Sequence, residues 1–75
     1  METWLPHKLR LLRMQRGLTL VDAANQIGIT RVTLSELERG HREPVAPTLM
    51  KIAKGYGVPI EELIEEPVLP KAGAW

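Results

Sequence analysis

The side chains that could do chemistry are few, and they do not assemble a catalyst. Ser35 is the only serine and sits mid-helix with no histidine near it in sequence, so nucleophilic attack has no activating base. His7 and His41 are the only histidines and there is no cysteine, which leaves no metal-ligand spacing, no disulfide and no thiolate site. The carboxylates Glu61, Glu62, Glu65 and Glu66 read as a solvated helix face. An enzyme is excluded on this reading, and no cofactor or small-molecule ligand is evident. What remains is recognition by charge. Arg31 is placed at the start of a helix, where the dipole disfavours a cation, so a contact outside the chain is expected of it.

The charge is unevenly spread. Residues 1–54 hold nine Lys/Arg against five acids, a balance of +4, while residues 55–75 hold one lysine against four glutamates, a balance of −3. Solvated helix faces would give the same numbers. A basic body turned to phosphates, with an acidic end turned away, is the sharper reading. Charge does not choose between them, so the pattern of elements must.

Seventy-five residues make one domain, and the 44% apolar content is ordinary for a globular chain. On this length no effector domain is expected. Neither a membrane span nor a signal peptide is visible, which makes the cytoplasm the expected compartment and no membrane partner necessary.

Apolar spacing and punctuation predict five helices and no strand. Gly17, Gly40 and Gly57 each follow a segment of helical period. Helix 1 is expected from Leu5 to Arg16, on the stripe Leu5, Leu9 and Leu12. Thr19 caps helix 2, which ends near Ile27, and Gly28 makes the turn. Thr30 caps helix 3, from Arg31 to Arg39. Helix 4 starts with Pro47 in its first turn and runs to Tyr56, burying Leu49, Ile52, Ala53 and Tyr56. Gly55 inside it counts as a weakness of about 1 kcal/mol relative to alanine. Helix 5 starts at Pro59, turns Ile60, Leu63 and Ile64 inward and ends at Pro67. Trp4 reads as a cap at the core edge. The division is a domain over residues 1–66 and an extended or mobile tail over 67–75.

Residues 19–39 are the informative stretch. Two short helices around Gly28–Thr30 must cross steeply, which requires a small Ala24 at the crossing and apolar Leu34 and Leu37 to anchor the second helix. The spacing Ala-x3-Gly-x5-Leu-x2-Leu is that of a DNA-binding helix-turn-helix. Three further pieces fall in order: Leu9–Arg10 through Arg16-Gly-Leu-Thr19, then Thr48–Leu49 with Lys51-Ile-Ala-Lys54, then Gly57-Val-Pro59 with Ile60-Glu-Glu-Leu63. Over about Leu9–Ile64 the chain resembles the Cro/C1-type (Xre-like) helix-turn-helix family.

The resemblance implies an all-α, five-helix, lambda-repressor-like fold. It also implies a dimeric regulator, a repressor of a palindromic operator, whose partners are double-stranded DNA and a second copy. Arg31, Val32 and Glu36 fall where related repressors read bases. Arginine suits guanine O6 and N7, valine a thymine methyl, and glutamate cytosine N4. Glu36 is also able to orient Arg31 or Arg39. Thr19, Thr30, Thr33, Ser35, His41 and Arg42 are implied backbone or mixed contacts. Arg13 and Glu38 match a structural ion pair of the family.

Departures are visible too. Leu20 stands where many members have glutamine, and is expected to be exposed or turned to a partner. Glu43 and Val45 flank Pro44 in place of the usual Asn or Ser. Dimer contacts are assigned to Ile64, Val68, Leu69 and Trp75, since a lone monomer would leave these apolar groups in water. The alternative reading is a protein-interaction module on the same fold, antitoxin-like or an adaptor.

Overall fold

The computed structural model describes residues 4–64. The five helices are α1 (Trp4–Gln15), α2 (Leu20–Ile27), α3 (Arg31–Glu38), α4 (Ala46–Tyr56) and α5 (Glu61–Ile64), with no strand among the described residues. None of these helices is long and apolar enough to cross a membrane.

Local chemistry sets the helix starts. The Thr19 hydroxyl accepts from the Asp22 backbone N–H at 3.1 Å, and the Thr30 hydroxyl accepts from that of Thr33 at the same distance. Each satisfies a donor that the first turn leaves without a partner, worth about 1 kcal/mol. Between these helices Gly28 takes φ +94°, and its N–H donates to the Ala24 carbonyl at 2.8 Å. Only a residue without Cβ adopts that backbone cheaply.

Leu9, Leu12, Ala23, Ala24, Ile27, Leu34, Leu37, Ile52, Ala53, Tyr56 and Leu63 form the core. Every helix contributes. α2 packs on α3 and α4, and α1 packs on α3 and α5. Gly55, read from sequence as a weakness, is the contact point of α4 with α2. A Cβ there would stand 2.9 Å from the Ile27 Cα. The helix gives up propensity to bring two backbones together.

The C-terminal end of α4 is held from both sides. Arg16 donates to the Tyr56 carbonyl at 2.6 Å and lies over the Tyr56 ring, while Gln26 donates to the Gly55 carbonyl at 2.7 Å. These bonds satisfy carbonyls that a helix end leaves open.

Several expectations are corrected. α1 begins at Trp4 and closes at Gln15, because the Arg16 N–H turns back to the Arg13 carbonyl. α3 stops at Glu38, with Arg39 as its cap. α5 begins at Glu61 rather than Pro59. Ile64 does not point inward. It is 55% exposed, whereas Leu63 beside it is fully buried. Leu20 is not an exposed residue, since it packs partly on the core. Leu49 is half-buried on the α4 stripe, and Trp4 is half-buried at the core edge. The expected helix end at Pro67, and Val68, Leu69 and Trp75, lie outside the described residues.

Candidate nucleic-acid interface

α3 is eight residues long and carries two faces. Leu34 and Leu37, 0% and 1% exposed, fix one face in the core. On the opposite side Arg31 and Val32 stand exposed at the first turn, with Thr30 exposed before them. Thr33 and Ser35 are half-buried. The Thr30 hydroxyl donates to that of Thr33 at 2.8 Å, so this pair is already engaged with itself. Thr19 is exposed at the cap of α2.

The end of α3 shapes the other flank. The His41 N–H donates to the Glu36 carbonyl at 2.9 Å, and the Gly40 N–H to the Leu37 carbonyl at 3.2 Å. Gly40 sits at φ +75°, as this type of helix end requires. The turn folds the next residue back along the helix. Arg42 Nη2 thereby reaches Glu36 Oε1 at 2.9 Å. Glu36, expected to orient Arg31 or Arg39, is paired instead with Arg42. The sequence carried no direct sign of this, because the pairing depends on how tightly the turn closes. His41 and Arg42 are both exposed.

Beneath this surface, Arg13 Nε donates to Glu38 Oε2 at 2.8 Å, and Arg13 Nη1 donates to the Leu18 carbonyl at 2.9 Å. The two side chains are 17% and 6% exposed. The hydrogen bond to Glu38 raises the Arg13 pKa above its ordinary value, against the opposing effect of burial. This pair ties α1 to the last residue of α3.

Residues 9–63 match the helix-turn-helix family model. The chain belongs to the Cro/C1-type helix-turn-helix family. It is similar to the cryptic phage CTXphi transcriptional repressor RstR of Vibrio cholerae, 42% identical over 59 residues, covering 79% of this chain and 53% of that protein. It is also similar to the HTH-type transcriptional regulator DdrOP3 of Deinococcus deserti, 43% identical over 58 residues, covering 77% of this chain and 45% of that protein. The chain thus spans about half the length of these two curated relatives. Among solved structures, the restriction-modification controller protein C.AhdI of Aeromonas hydrophila superposes with a TM-score of 0.78 at 27% identity, over 83% of this chain and 94% of that one. Within this family frame, the α2–α3 crossing is the helix-turn-helix itself. Arg16 and Gln26 are the structural side chains that the sequence reading did not single out. A basic residue near a helix end gave a weak hint for Arg16.

Proposed function

We propose that this chain binds a specific sequence of double-stranded DNA as a homodimer and regulates transcription, as a repressor acting at a palindromic operator. The observation that carries the reading is the exposed first turn of α3. Arg31 and Val32 stand clear of the core on a helix anchored by Leu34 and Leu37. The N-terminal part of a recognition helix is the part that meets base edges in the major groove. Arg31 is the guanine reader, Val32 the thymine-methyl contact and Glu36 the acceptor for cytosine N4. Thr19, Thr30, Thr33, Ser35, His41 and Arg42 serve the backbone around them.

One recognition helix spans too few base pairs to be selective in a genome, and two copies about 34 Å apart remove that difficulty. Ile64 supports a second copy at the α5 end. It is exposed and lines a groove of about 600 Å³ with the apolar Trp4, Leu49 and Leu63 and the charged Arg42 and Glu43. Val68, Leu69 and Trp75 follow it in sequence and are assigned to the same contact.

The test is a titration of random and selected duplex DNA at several salt concentrations, together with sedimentation of the wild type and of Ile64→Glu. Affinity that falls steeply with salt and is higher for a selected palindrome is the expected result. A wild type that stays monomeric at high micromolar concentration with and without DNA would sink the dimer. No salt-dependent binding to any duplex would favour a protein-interaction module instead.

A further inference from the structure

Resting on the DNA-binding reading above, we propose that Glu36 and Arg42 act as one unit that decides which base pair this surface accepts. Arg42 is a positioning residue that holds the Glu36 carboxylate in place, and the held carboxylate rejects sequences that offer it no donor.

The geometry is specific. Glu36 lies one helical turn after the exposed Val32, on the same side of α3. Its Oε1 stands 2.9 Å from Arg42 Nη2. That oxygen is closed to solvent and accepts no aligned hydrogen bond among the described residues, where the charge of Arg42 is what faces it. The Glu36 side chain is 31% exposed and that of Arg42 53%. An ion pair between two loose surface chains contributes little, because both must be ordered. Here the backbone turn fixes where the two residues stand relative to each other, which leaves only the side-chain rotations to be ordered. The carbonyl of Glu36 itself receives the His41 N–H, so the residue bearing the carboxylate also anchors the turn bearing the guanidinium.

The consequence follows from donor chemistry. A carboxylate only accepts. In the major groove cytosine N4 and adenine N6 donate, while guanine O6, guanine N7 and thymine O4 accept. A free glutamate would swing to water when it met an acceptor. A glutamate held by Arg42 stays, and the wrong base pair then sets acceptor against acceptor with the carboxylate stripped of water. Selectivity comes from that penalty as well as from the correct bond. The guanidinium has five N–H donors, so Arg42 keeps donors for a phosphate while it holds Glu36.

The experiment is sequence selection from a randomised duplex pool with wild type, Glu36→Gln, Arg42→Ala and Arg42→Lys. Affinities for the selected site and its single-base variants are then measured, and melting curves show that each variant is folded. Glu36→Gln adds a donor, and should lower discrimination at one base pair about tenfold while tightening binding to disfavoured sites. Arg42→Ala should weaken binding generally and flatten the same base pair. Arg42→Lys should recover most of the affinity and part of the discrimination. Arg42→Ala that keeps the wild-type preference at the position flattened by Glu36→Gln would overturn the proposal, as would a Glu36→Gln profile equal to that of wild type. A wild type that binds no duplex would overturn the DNA-binding reading itself.

Discussion

Arg13 on α1 and Glu38 at the end of α3 meet at 2.8 Å with little of either side chain open to water. A charge left alone in that position would be costly, because its partner supplies both the hydrogen bond and the opposing field. The pair is part-buried and Arg13 keeps the Leu18 carbonyl, so Glu38→Ala should lower stability in urea melts by about 1–3 kcal/mol. Glu61→Ala, on an exposed residue, should stay within about 0.5 kcal/mol of wild type. Equal losses in the two variants would show that the pair does no structural work.

Gly55→Ala sets two effects against each other. Alanine favours the helix by about 1 kcal/mol. Its Cβ would stand 2.9 Å from the Ile27 Cα and 3.2 Å from the Gln26 carbonyl, both backbone atoms that cannot swing aside. The clash should win, with a net loss of about 1–3 kcal/mol by thermal or chemical denaturation. A stabilised Gly55→Ala would mean that α2 and α4 slide apart freely.

Tyr56 gives a pH test. Burial, with the nearby Glu38 charge, pushes its pKa up to about 12 from the ordinary 10.0. Between those values the unfolded chain has lost the phenol proton and the folded one keeps it. Below pH 10 the neutral phenol leaves stability unchanged, and stability falls as pH rises from 10 towards 12, because ionising the buried group is penalised. Tyr56→Phe should remove that part of the alkaline loss, measured as the difference between the two proteins' unfolding curves. The hydroxyl is buried without a hydrogen-bond partner among the described residues, so Tyr56→Phe should be at least as stable as wild type at pH 7. A clearly weaker Tyr56→Phe would show that the hydroxyl has a partner after all.

Arg31→Ala removes an exposed side chain that makes no hydrogen bond or ion pair among the described residues, so the melting temperature should change little. Binding to the preferred site should fall by about 1–3 kcal/mol, with preference relaxed at one base pair. Unchanged sequence preference would remove Arg31 from the base readers.

What the sequence made legible was local. Thr19, Thr30 and Gly28 announce the two helix starts and the turn between them, because caps and turns depend on a few adjacent residues. The buried leucines follow from spacing alone. The unread features all depend on two elements meeting. Gly55 looks like a defect until α2 is placed against it. Glu36 looks free to serve Arg31 or Arg39 until the turn at Gly40 brings Arg42 back. Leu20, where the family pattern favours a polar group, suggests exposure or a partner contact, yet it packs partly on this chain's own core. At the site, the exposure of Arg31 and Val32 follows from helical period, whereas the hydroxyl bond between Thr30 and Thr33 depends on how both side chains rotate.

The division of α3 into an anchored face and a free one also bears on how such a protein changes over time. Arg31 and Val32 contribute nothing to the core, so a lineage could exchange either and drift to a new target without passing through an unstable ancestor. Glu36 does not share that freedom. Its carboxylate is paired with Arg42, so exchanging Glu36 leaves that guanidinium without its counter-charge unless Arg42 changes with it. The two positions should therefore move as a linked pair while their neighbours wander independently.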